Sequence, residues 1–115
     1  MAKLISSNSK FIHPVEACEP GSKERASLVL KIMKEKFGDR FDKIYINNNN
    51  NICMYPTTSN FNDPKYLVVV LSLKEGFSVK YHYSFIQEPK TMNTVYNFND
   101  FLKALDKFIT DEIEE

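Results

Sequence analysis

Basic residues hold no majority over acidic ones in this 115-residue chain: each class numbers 15, and the formal net charge is zero. That balance argues against a dedicated nucleic-acid binder, because phosphate contacts draw on an excess of Lys and Arg. Glycine is scarce as well. Three glycines can hardly build phosphate-cradling loops, and no P-loop, dinucleotide fingerprint or nucleophile elbow occurs. The two cysteines, Cys18 and Cys53, show no recognisable pair spacing, so free thiols are expected rather than a disulfide framework. His13 and Cys18 are four residues short of contiguity, with no second close pair to complete a tetrahedral metal set. The longest apolar run, Leu67–Leu71 extended by Leu73, falls far below the ~20 residues of a membrane span. The segment after Leu4-Ile5 turns polar, without a signal-peptide core. A cytoplasmic location, no metal and no cofactor are the resulting expectations.

What is present suits one domain. The chain is 43% hydrophobic and 26% charged, and a domain of this size buries roughly two-thirds of its unfolded surface without staples. Residues 1–20 read as a lead-in, with Leu4-Ile5 and Phe11-Ile12 as short strands or a strap, interrupted by His13-Pro14 and Glu19-Pro20. A helix over 22–37 follows: Ser22 is a suitable N-cap, Ala26, Val29, Leu30, Met33 and Phe37 recur at spacings of three and four, and Gly38 is placed to end it through the left-handed conformation.

Residues 42–96 read as an antiparallel meander of four to five strands. Asn47–Asn51, five consecutive asparagines, form a loop between Asp42–Ile46 and Ile52–Tyr55, since asparagine tolerates positive φ and bonds its own backbone. The apolar run Tyr66–Leu73 predicts a strand with two apolar faces. From Phe77 to Ile86, Phe77, Val79, Tyr81, Tyr83 and Phe85 alternate with Ser78, Lys80, His82, Ser84 and Ile86, the clearest period-two pattern in the chain. Thr91–Tyr96 adds a short strand. A closing helix over 98–112 is capped by Asn97 with Asp100 three residues on, and Tyr96 is placed to staple onto Phe101. Two one-sided helices flanking such strands predict an α+β fold, α-β-β-β-β-α, with both helices on one face of the sheet.

Chemistry is thinly represented. A Cys-His nucleophile pair requires Cys53 beside His82, and a ligand pocket requires Tyr81, Tyr83 and His82 to converge. Neither arrangement is demanded by the pattern, and no intrinsic catalysis is expected. Charge is uneven: residues 1–45 carry a net +3 and residues 46–115 a net −3. The acidic residues gather near the C-terminus at Asp106, Asp111, Glu112, Glu114 and Glu115, which makes that helix a candidate surface for a basic partner. Tyr96 and Phe98 are the candidate aromatic anchors beside it. If only one face of the Tyr66–Leu73 strand is covered by helices, the other is open to a protein.

The segment Tyr96-Asn97-Phe98-Asn99-Asp100-Phe101-Leu102-Lys103-Ala104-Leu105-Asp106-Lys107-Phe108-Ile109, closing a small neutral helix–meander–helix chain, resembles the bacterial immunity proteins that neutralise polymorphic or contact-dependent toxins. The likeness is one of architecture, and no binding residue carries over by position. It implies a non-catalytic inhibitor that covers a toxin domain, often a basic nuclease. Two alternatives stand beside it: a phage or mobile-element inhibitor of a host defence protein, and a small enzyme or ligand-binding domain using the sheet face.

Overall fold

The computed structural model of the chain describes residues 13–83 and 88–114. The strands expected at Leu4-Ile5 and Phe11-Ile12, and the end of the alternating segment at 84–86, lie outside those residues. Pro14–Ala17 makes one 3-10 turn, with His13 Nδ1 accepting the Val15 N–H at 3.0 Å. Helix α1 spans Lys23–Phe37, and the Ser22 hydroxyl caps it by accepting the Arg25 N–H at 3.1 Å. Gly38 ends it for a different reason from the one expected. Its φ is −58°, right-handed, and a Cβ there would sit 2.5 Å from the Lys34 carbonyl oxygen. Close approach, not left-handed backbone, is what asks for glycine at this position.

Five antiparallel strands follow in the order β1-β2-β3-β4-β5: Phe41–Ile46, Ile52–Pro56, Lys65–Val70, Ser78–Tyr83 and Lys90–Thr91. The asparagine run is the β1–β2 loop. Asn47 Oδ1 accepts the N–H groups of Asn49 and Asn51, and Asn50 adopts a φ of 61°. Asn51 Oδ1 also takes the Leu71 N–H, while the Gly21 N–H donates to the Leu71 carbonyl. Those two bonds occupy the backbone groups that would continue the ladder, so β3 stops at Val70 rather than running to Leu73. The strand expected over Thr91–Tyr96 is likewise reduced, to β5 and an isolated bridge between Phe77 and Val95.

Helix α2 spans Phe98–Phe108 and continues as a wider π-helical turn over Ile109–Ile113. Asn97 caps it through the Asp100 N–H at 3.0 Å, and Glu16 Oε2 accepts the Phe98 N–H at 3.0 Å. A carboxylate at this end also complements the helix dipole. The expected staple is not made: Tyr96 is 67% exposed, whereas Phe101 is fully buried against Phe77 and Phe98.

Both helices cover one face of the sheet, as the sequence predicts. Register explains how. One set of strand positions runs Ile46–Ile52–Val69–Val79 and Ile44–Met54–Leu67–Tyr81 across β1 to β4. These side chains join Ala26, Val29, Met33 and Phe37 of α1 and Phe98, Phe101, Leu105 and Ile109 of α2 in a single core. The alternate positions point the other way, and no described element covers them.

Candidate functional site

The uncovered face is where the side chains become unusual. Register places Tyr45, Cys53, Val68 and Lys80 in one row across it, with Tyr66 paired to His82 and Lys43 paired to Tyr55. The rings stack in sequence from strand to strand: Tyr45 on Tyr55 at 6.3 Å, Tyr55 on Tyr66 at 5.3 Å, and Tyr66 on His82 at 4.6 Å between centroids. Interplanar angles of 11°, 26° and 11° make this a continuous parallel stack. Both faces of Tyr55 and Tyr66 are engaged by neighbouring rings, while Tyr45 and His82, at the two ends of the stack, each use one face. Tyr45 remains 42% exposed, Tyr55, Tyr66 and His82 are half-buried, and Cys53 is buried beneath them.

The ionisable groups of this face respond to one another. Hydrogen bonding to Cys53, then to Tyr55, pushes the Tyr45 phenol well above its ordinary value. Burial raises Tyr66, with smaller contributions from Cys53 and Tyr55. Burial lowers the His82 imidazole, and the Lys80 ammonium lowers it further. All three shifts favour neutral rings, so the phenols stay protonated donors near neutral pH.

A second exposed aromatic lies at one end of this face. Phe61, 95% exposed, rides the β2–β3 loop, which leaves β2 just after Tyr55 and enters β3 just before Tyr66. The loop is tightly held. Asn60 Oδ1 accepts the N–H groups of Asn62 and Asp63, both at 2.9 Å, the Ser59 hydroxyl accepts the Lys65 N–H at 3.0 Å, and Asp63 pairs with Lys65 at 3.2 Å.

The acidic helix is arranged differently from its sequence-level reading. Asp106 and Glu114 both bind the Arg40 guanidinium, at 2.8 and 3.4 Å. Glu112 pairs with Lys90 at 2.6 Å and Asp111 with Lys107 at 2.7 Å. Glu115 lies outside the described residues. Of the two aromatic anchors expected there, Tyr96 is exposed, but Phe98 is fully buried, in ring contact with His13, Phe77 and Phe101. Its place is the core, because the first turn of α2 points inward at that position.

The catalytic constellations weighed from the sequence are not assembled. Cys53 and His82 share a face, yet β3 lies between their strands, a separation of about 10 Å at 4.8 Å per strand. Tyr81 packs inward on Phe108 and stacks with Tyr83, so neither converges with His82 on the other side. No group of three metal-ligating residues occurs among the described residues. A shallow pocket of ≈270 Å³ opens near Arg25, Glu16 and Tyr96, but its two partly buried charged groups, Arg25 and Glu16, serve the fold. Arg25 donates to the carbonyls of Val15 and Glu16 and lies over the Phe77 ring, while Glu16 holds the α2 terminus.

No helix among the described residues is long and apolar enough to cross a membrane. No protein-family model, curated protein or solved structure matches the chain.

Proposed function

We propose that this chain is a non-catalytic inhibitor that works by binding another protein, in the manner of the immunity proteins its architecture resembles, with a toxin domain as the partner. The observation that supports this reading is the open face itself. A fold that buries Phe37, Phe77, Phe98 and Phe101 almost completely leaves three tyrosines and a histidine, one exposed and three half-buried, stacked in a row on the sheet face that no described element covers. Tyrosine combines large, stiff contact area with a polar tip, the combination favoured at protein interfaces.

Area sets a further condition. Four strands and about five residues along each make a face of roughly 300 Å², against about 800 Å² per partner in a standard interface. Loops must therefore contribute, and two lie at opposite ends of the face: Asn47–Asn51 and the Phe61 loop. The acidic surface of α2 is the competing placement. Its paired carboxylates would have to exchange Arg40, Lys90 and Lys107 for partner cations, which reduces the net gain from each contact.

Affinity capture from the source cells, read by mass spectrometry, tests the reading. The bait chains are wild type, Tyr55→Ala with Tyr66→Ala, and Asp106→Lys with Asp111→Lys and Glu112→Lys, each confirmed folded. The expected result is one protein retained by wild type and by the charge-reversed bait, and lost from the tyrosine variant. Loss from the charge-reversed bait alone moves the interface to α2. Turnover of a nucleotide, ester or peptide that disappears on His82→Ala overturns the non-catalytic reading.

A further inference from the structure

We infer that the open face docks an acidic protein surface, with partner carboxylates on Lys43 and Lys80 at either side of the tyrosine row. The inference rests on the protein-binding reading above and narrows it to one kind of partner.

Every polar ring on this face can donate a hydrogen bond, and its two charged groups are both cations. The strand positions that point outward supply the phenols of Tyr45, Tyr55 and Tyr66, the imidazole of His82 and the ammoniums of Lys43 and Lys80. They supply no carboxylate. Two carboxylates lie at the rim: Asp42, exposed at the irregularity between Phe41 and Lys43 and in no ion pair with Lys43 among the described residues, and Asp63 on the β2–β3 loop, which pairs with Lys65 at 3.2 Å. Neither Lys43 nor Lys80 forms a salt bridge among the described residues, whereas Asp106, Asp111, Glu112 and Glu114 on the helical side each do. The charge left available on this face is thus cationic, although the chain as a whole is neutral.

Geometry limits the occupant. Lys43 on β1 and Lys80 on β4 are separated by three strand spacings and two residues along the strand, about 16 Å. No single small anion spans that distance. Single-stranded nucleic acid does, but its affinity for aromatic platforms comes from bases stacking on free ring faces. Here the faces between Tyr45 and His82 are already stacked on one another at 4.6–6.3 Å, so successive bases cannot stack along the row. A second copy, face to face, would set lysines against lysines. A protein surface carrying carboxylates about 16 Å apart satisfies both cations and gives the phenol O–H groups acceptors as well.

The test uses a phage-displayed library of random disulfide-closed loops, selected on the full chain. Enriched loops are expected to carry at least two Asp or Glu. The leading loop, synthesised, is expected to lose at least about tenfold in affinity to Lys43→Glu with Lys80→Glu, and to weaken with salt. It should bind Asp106→Lys as it binds wild type. Lys43→Gln with Lys80→Gln provides a milder variant, and thermal melts establish that each is folded. Enrichment of loops without acidic residues, no enrichment, or affinity unchanged in both lysine variants overturns the inference. Saturable binding of a (U)12 RNA that the lysine variants abolish also overturns it, in favour of nucleic acid. So does a dimer in sedimentation that the same variants dissociate. If cellular capture depends on Tyr55 and Tyr66 but not on the lysines, protein binding stands and the acidic partner falls.

Discussion

Leu67 and Val68 are neighbours on β3, yet they meet opposite environments. Leu67 is fully buried between Met54 and Tyr81 under both helices, while Val68 is half-exposed between Cys53 and Lys80. The same contrast extends across the sheet. Its inner face is filled by aliphatic side chains with Met54 and Tyr81, and the adjoining Phe77 makes edge and tilted contacts with Phe98 and Phe101 of α2. Its outer face carries tyrosines and a histidine that, among the described residues, have ring partners only in one another. An apolar strand covered on one side ordinarily alternates with polar residues on the other. Here the second face keeps apolar bodies and polar tips, a composition suited to intermittent rather than permanent burial.

The largest effect expected separates the faces at these two residues. Leu67→Ala should destabilise by about 2–5 kcal/mol, through lost transfer free energy and the cavity left behind. Val68→Ala should cost about 1 kcal/mol or less, because water reaches the site and no cavity forms. Urea denaturation with an unchanged m-value measures both. Equal losses would mean that the outer face is covered in the isolated protein.

Much of the inner face was legible in the sequence. The spacing of Ala26, Val29, Met33 and Phe37 located α1, Ser22 marked its start, and Val79 and Tyr81 identified the core side of β4. Those signals are local, with periods of 3.6 and 2. The tyrosine row was not legible because it depends on register. Tyr45, Tyr55, Tyr66 and His82 come from four strands, and their alignment requires the loop lengths and the irregularity at Phe41/Lys43. One available signal was the alternation already visible around Tyr66, which opposes it to Leu67. The acidic helix misled for a related reason. Its charges counted as free until folding brought Arg40, 66 residues from Asp106, to within 2.8 Å.

A smaller effect should distinguish the faces by pH. Burial and Lys80 hold the folded His82 imidazole below its ordinary value of 6.5. The unfolded chain therefore binds the proton more readily than the folded one. This contribution is fully present above the ordinary histidine range and is lost as pH falls through 6.5 toward the folded value. Thermal melts between pH 8 and pH 5 should show a decline that His82→Gln reduces. A decline undiminished in His82→Gln would assign the titration away from the outer face.

The smallest effect on stability is expected at Phe61, and there the comparison becomes sharpest. A ring 95% exposed loses almost nothing on unfolding, so Phe61→Ser should change stability by no more than about 0.5 kcal/mol. The loop that carries it is nevertheless fixed by Asn60, Ser59 and the Asp63–Lys65 pair. A prearranged loop spends little conformational entropy when it docks, and an aromatic side chain entering an apolar pocket is a common centre of binding energy. Phe61→Ser should therefore leave the melting temperature in place while weakening retention of the captured protein. Asn60→Ala, which removes the acceptor for Asn62 and Asp63 but keeps the ring, should weaken retention less, by loosening the loop rather than deleting its contact. Retention unchanged in both variants would place the β2–β3 loop outside the interface and require the Asn47–Asn51 end of the sheet to supply the missing area.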